Sequence, residues 1–150
     1  HWAERGKRIQ ERLLQLVDED TRAFNAIMEA FGLPKNTPEE QESRKKAIES
    51  ATLNAIKVPY EVMKVAFSGF EVVRAMAETG NPNSVSDAGV GALALHACIE
   101  GAWLNVRINA PDLGDHGQVT DILRDGELLH EKSAAMKDSI LELVNEKLIS

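Results

Sequence analysis

Helix-ending signals fall at only three places along these 150 residues: Gly32 with Pro34, Gly80 with Pro82, and the stretch holding Pro111, Gly114 and Gly117. Between them apolar residues recur at helical spacing, and no segment makes a convincing strand. Asn105-Val106-Arg107-Ile108-Asn109 alternates with period two, but five residues at the end of a helical run do not settle a strand. Long helices joined by short loops pack as antiparallel neighbours. The sequence therefore predicts an all-α bundle of long antiparallel helices, one domain over residues 1–150.

The first helix is expected from about Trp2 to Phe31, with an apolar stripe through Ile9, Leu13, Leu16, Val17, Phe24, Ile27, Met28 and Phe31. Thr37-Pro38-Glu39-Glu40 opens the second: Thr37 suits the N-cap, Pro38 the first helical position, and Glu40 can close a capping box. That helix should reach Glu78 or Thr79, with Gly80 as the residue past its end and a kink or break before Pro59. The third runs from Ser84 or Ser86 to about Asn109 and is rich in Ala and Gly. Apart from His96 and Glu100 it is apolar on every face, which predicts the most buried, central helix and a dimer interface. The fourth spans about Val119 to Leu148.

A formal net charge of −7 speaks against a general nucleic-acid binder, which carries a basic face. The single cysteine, Cys98, permits no intramolecular disulfide and fits a reducing compartment. No apolar run approaches the roughly 18 residues that span a bilayer, and no signal peptide is visible. A cytoplasmic protein, bound neither to nucleic acid nor to membrane, is expected. Its first residue is His1 rather than Met, so upstream residues are expected to be missing.

Asp20 is the most informative position. It lies on the apolar stripe of the first helix, one turn after Leu16 and one before Phe24, whereas Asp18 and Glu19 point away and should be solvated. A carboxylate that loses hydration becomes harder to ionise and suited to proton transfer near neutral pH. Spacing alone favours a structural Asp, salt-bridged to a neighbouring helix or at a dimer edge. Asn83, Ser84, Ser86 and Asp87 crowd the start of the third helix, where backbone N–H groups can hold a polar ligand. Capping by Ser84 with Asp87 is the simpler reading, and both roles can coexist. Asn105 and Asn109 share a face with Gly101 and Ala102 and either orient a ligand or tie helix ends together. Arg107 projects elsewhere, toward a carboxylate. His1, His96, His116 and His130 have no metal-ligand spacing, and His96 reads as a satisfied core or interface histidine. Trp2, Trp103 and Cys98 read as packing residues.

Three segments resemble the cyclodeaminase domain of formiminotransferase-cyclodeaminases. They are Leu16-Val17-Asp18-Glu19-Asp20-Thr21-Arg22-Ala23-Phe24 with Phe31-Gly32-Leu33-Pro34-Lys35, then Gly80 through Ala92, then Gly101 through Asn109. The likeness runs in order over essentially the whole chain. It implies an all-α fold that dimerises, with tetrahydrofolate bound near the subunit interface. It also implies cyclisation of 5-formimidoyltetrahydrofolate to 5,10-methenyltetrahydrofolate with release of ammonia. No cofactor is required beyond the tetrahydrofolate substrate, and no metal. The second Asp of the family's Val-Asp-x-Asp motif, Asp20 here, would be the catalytic acid/base, which reverses the reading from spacing. Asn83, Ser86, Asp87, Asn105, Arg107 and Asn109 would cluster as the substrate-binding set. A homodimer or higher homo-oligomer is expected, with a formiminotransferase enzyme or domain as a further partner. Family domains begin with a helix bearing a Pro-Gly-Gly-Gly-Ser-type motif that this sequence lacks; without it, core surface would lie uncovered. Two rival functions stay open: a methenyltetrahydrofolate cyclohydrolase, which shares the fold, and a non-catalytic helical oligomerisation module.

Overall fold

A computed structural model describes residues 1–114 and 116–149. Four long helices make up nearly all of it: α1 (Trp2–Gly32), α2 (Pro38–Thr79), α3 (Val85–Asn109) and α4 (Gly117–Ile149). Short 3-10 turns, Pro82–Ser84 and Ala110–Leu113, flank α3. Among the described residues there is no strand, and residues 105–109 are helical.

The start of α2 forms as its sequence predicts. The Glu40 N–H donates to Thr37 Oγ1 at 3.2 Å, and Glu40 Oε2 accepts from the Thr37 N–H at 3.2 Å. At the other end Gly80 is needed for a different reason than a left-handed turn. Its φ is −73°, but a Cβ there would lie 2.4 Å from the Met76 carbonyl oxygen that its own N–H approaches. The capping expected of Ser84 and Asp87 does not form: Ser84 makes no side-chain cap. Asn81 takes over instead, its Oδ1 accepting from the Asn83 N–H at 3.0 Å and its carbonyl from the Ser84 N–H at 2.9 Å. α2 runs unbroken through Pro59, so the expected break is absent.

The central helix is α2, which packs against α1, α3 and α4; this corrects the assignment of that role to the Ala/Gly-rich α3. Ile56, Met63, Ala66 and Phe70 of α2 form the main core with Ala92, Ile99 and Val106 of α3 and Ile140 and Val144 of α4. Leu16 and Ala23 of α1 join Ala55 and Val58 of α2 in a second cluster. α3 is buried on one face only. Its other face, with Val90, Leu93, Ala97, Gly101, Leu104 and Ile108, is exposed, Ile108 by 74%. The cause is topological: α2 and α4 cover two sides of α3, and α1 lies across α2 from it.

α3 with its flanking turns, Pro82–Leu113, is long and apolar enough to cross a membrane by length and composition, at a mean hydropathy of 1.2. This corrects the expectation that no run reaches that length. The same composition suits a helix packed in a bundle, and eight residues of α3 are buried here, among them Ile99, Trp103 and Val106.

Candidate functional site

α1 runs antiparallel to α2, fixed by an Arg5–Glu71 ion pair at one end and by Arg44, whose Nη2 donates to the Phe31 carbonyl at 3.1 Å, at the other. α3 also runs antiparallel to α2. α1 and α3 therefore run parallel, and between them lies an apolar groove of about 660 Å³. Gly6, Ile9, Leu13 and Val17 line it from α1, Gly69, Val72 and Val73 from α2, and Gly91, Ala94, Leu95 and Cys98 from α3. Cys98 is half-buried in this wall, and burial pushes its thiol up from the ordinary value. Beside the groove, and sharing Val72 and Val73 with it, a cavity of about 240 Å³ is lined by Asn81, Ser84 and Asp87.

Asp20 is exposed, not desolvated within this chain. The stripe of α1 is wider than the surface α2 covers. Leu16, Ala23 and Ala30 are buried, whereas Val17 and Phe24 are 63% and 62% exposed. At about 100° per residue, Asp20 lies about 40° from Leu16, on the side of Phe24 and Val17. It thus stands at the edge where the buried seam meets the groove-facing half. Asp18 is exposed as expected, but Glu19 is not simply solvated. Arg12 Nη1 donates to Glu19 Oε1 at 2.5 Å, and this hydrogen bond holds the Glu19 carboxyl below the usual carboxylate range.

Asn109 stands at the same level of the bundle as Asp20. Leu16 and Ala23, one turn to either side of Asp20, pack with Ala55, and Asn109 Nδ2 donates to the Ala55 carbonyl at 3.5 Å. Asn105 lies one turn earlier, its carbonyl accepting from Asn109 Nδ2 at 3.1 Å. Asp20, Asn105 and Asn109 therefore stand at a similar level of the bundle, past the Val17 end of the groove and outside its lining. Asn83, Ser86 and Asp87 do not join them. They sit at the opposite end of α3, roughly 30 Å away at about 1.5 Å per residue, so the expected cluster of six does not exist within one chain. Arg107, two residues from each Asn, points about 160° away from both around the helix. It makes no ion pair among the described residues.

One polar cluster escaped the reading from spacing. His130 Nε2 meets Glu100 Oε1 at 2.7 Å, His96 Nε2 faces the same oxygen at 3.6 Å, and His96 Nδ1 lies 2.9 Å from Ser133 Oγ. It ties α3 to α4, so His96 is the satisfied interface histidine its spacing suggested. The i, i+4 placement of His96 and Glu100 was the available signal; their α4 partners could not be read locally.

The profile of the family described as formiminotransferase-cyclodeaminase matches residues 1–127. The methenyltetrahydrofolate cyclohydrolase of Methylorubrum extorquens is 35% identical over 144 residues, covering 96% of this chain and 69% of that protein. The chain belongs to the formiminotransferase-cyclodeaminase family. The formimidoyltransferase-cyclodeaminase of Mus musculus is 35% identical over 123 residues, 77% of this chain and 23% of that protein. In fold the chain is similar to a formiminotetrahydrofolate cyclodeaminase from Thermotoga maritima, at a TM-score of 0.68 and 24% identity, over 95% of this chain and 65% of that one. It therefore spans about two thirds of the cyclohydrolase and of the Thermotoga protein, and under a quarter of the mouse protein. Family membership puts the chain in an enzyme family.

Proposed function

We propose that this chain carries the folate site of a formimidoyltetrahydrofolate cyclodeaminase, with Asp20 as its acid/base. One observation supports the reading above others: in a chain of this family, the second Asp of Val17-Asp18-Glu19-Asp20 stands one turn beyond the groove-lining Val17, at the level of Asn109. In the reaction, N10 of 5-formimidoyltetrahydrofolate, whose formimidoyl group is in its protonated amidinium form, attacks the formimidoyl carbon and closes the ring. The Asp20 carboxylate takes the N10 proton and returns one to the departing nitrogen. The carbon–nitrogen bond then breaks, leaving ammonia and 5,10-methenyltetrahydrofolate. Two proton transfers and one ring closure make up this chemistry; no metal or redox group enters it.

The second copy expected for the family would complete the site. The exposed face of α3 is centred on Ala97, with Val90, Leu93, Gly101, Leu104 and Ile108 all within about 40° of it. Pairing this face antiparallel with a second α3 about a two-fold axis at Ala97 sets residue 87 level with residue 107 of the partner. Asp87, Asn105 and Asn109 lie on one flank of the face and Arg107 on the other, at about 100° per residue. Such a pair therefore brings Asp87 beside the partner's Asn105 and Asn109, on the flank toward the groove, and leaves Arg107 outside. It would also cover Val17 and Phe24 beside Asp20 where the groove meets the interface, restoring the desolvation that a single chain lacks.

A second reading, methenyltetrahydrofolate cyclohydrolase, is favoured by the Methylorubrum relative, which aligns with 96% of this chain. Both reactions handle the same ring. One assay on the full-length protein separates them: ammonia and methenyl absorbance rise from 5-formimidoyltetrahydrofolate under the first, whereas the second consumes the methenyl compound by hydrolysis. Neither change would leave the non-catalytic oligomerisation module.

A further inference from the structure

Pro59 is fully buried in the middle of α2, which continues through it without interruption. Proline offers no N–H, and its ring crowds the carbonyl four residues earlier. Here that carbonyl belongs to Ala55, a buried residue. A buried carbonyl deprived of its intrahelical donor requires another partner. Asn109 supplies it from α3: one Nδ2 hydrogen goes to the Ala55 carbonyl at 3.5 Å and the other to the Asn105 carbonyl at 3.1 Å. The reversed amide would set Oδ1 against two carbonyl oxygens, so the network fixes the orientation. With both hydrogens committed to the backbone, Oδ1 is turned away from α2 as an acceptor.

We propose that Pro59 is a positioning residue for the folate site: by vacating the Ala55 carbonyl it anchors the Asn109 amide, so that Oδ1 accepts from an N–H of the reduced pterin ring. The proposal rests on the folate reading above. It does not require Pro59 to touch the ligand. It also gives a reason for a proline in a helix interior, where that residue is the least favourable of all.

The test uses the full-length protein and 5-formyltetrahydrofolate, a stable probe with the same ring, in calorimetric titrations. Asn109→Ala should bind the probe up to about tenfold more weakly, the loss of one well-placed hydrogen bond. Pro59→Ala returns an N–H to the Ala55 carbonyl and should lose a similar factor, while the double variant loses no more than either single change. The melting temperature of Pro59→Ala should hold or rise, because a helix breaker gives way to the best helix former. The Asn109 side-chain amide resonances should also move in Pro59→Ala without any ligand present. Should that variant fail to fold, Asn109→Asp carries the test. It keeps an acceptor oxygen but sets another against the Ala55 carbonyl, so its binding should fall as far as that of Asn109→Ala. Normal binding by Asn109→Asp, or unmoved Asn109 resonances in a folded Pro59→Ala, would overturn the proposal. If the wild-type protein does not bind the probe while the resonances do move, the folate reading fails and the Pro59–Asn109 linkage stands.

Discussion

Gly126 of α4 lies under the indole of Trp103. A Cβ added there would sit 2.4 Å from Cζ3 and 2.9 Å from Cε3 of a ring that is buried and stacked on His130. The indole is buried, so the clash is with a rigid core ring and Gly126→Ala should cost about 1–3 kcal/mol, read as a lowered thermal midpoint by circular dichroism. Val17-Asp18-Glu19-Asp20 holds two kinds of carboxylate. Glu19 titrates below its ordinary value because Arg12 hydrogen-bonds its charged form. A carboxyl depressed in this way adds stability above its unfolded pKa and loses it as pH falls through the folded one. In Arg12→Ala the Glu19 carboxyl, followed by carbon-13 NMR, should return upward toward the ordinary glutamate value; no movement would show that the pair does not persist in solution. Spacing identified Asp20 as a carboxylate on an apolar stripe. It could not show that α2 covers only the Leu16 side, because how much of a stripe is buried depends on a neighbour's width and position.

Signals carried within a few residues translated faithfully into elements. The Thr37–Glu40 capping box formed because all its partners lie within one turn, and Thr37→Ala should cost about 1 kcal/mol in chemical unfolding. The start of α3 was less legible. Ser84 and Asp87, three residues apart, competed with Asn81, whose Asx-type turn closes over a shorter loop and leaves Ser84 uncapped. α3 itself shows the limit most clearly. An Ala/Gly-rich helix apolar all round reads as buried, and half of it is, but the other half faces outward in a single chain. Composition reports that a surface is apolar, not which molecule covers it. If a second copy covers it through Ala97, Ala97→Arg should shift the full-length protein toward monomer in sedimentation and lower turnover with it. A dimer unchanged by that substitution would place the interface elsewhere.

At the scale of the molecule, family membership and the bundle were both legible, the first from motifs and the second from three loop signals among long helical runs. The clustering predicted for six residues is not met within one chain, where α3 holds its two halves roughly 30 Å apart; meeting it takes a partner subunit. Asp20, one turn beyond the groove-lining Val17, is the residue proposed to move the proton. The most direct measurement is ammonia release from 5-formimidoyltetrahydrofolate by the full-length protein carrying Asp20→Asn, set beside Asp18→Asn. Asn keeps the shape and removes the titratable proton, so Asp20→Asn should fold, dimerise and bind folate normally, yet lose about 10²–10⁴-fold in rate. Asp18→Asn, which removes the same charge from the same turn of α1, should change little. Near-normal turnover by Asp20→Asn, or a greater loss in Asp18→Asn, would contradict the assignment.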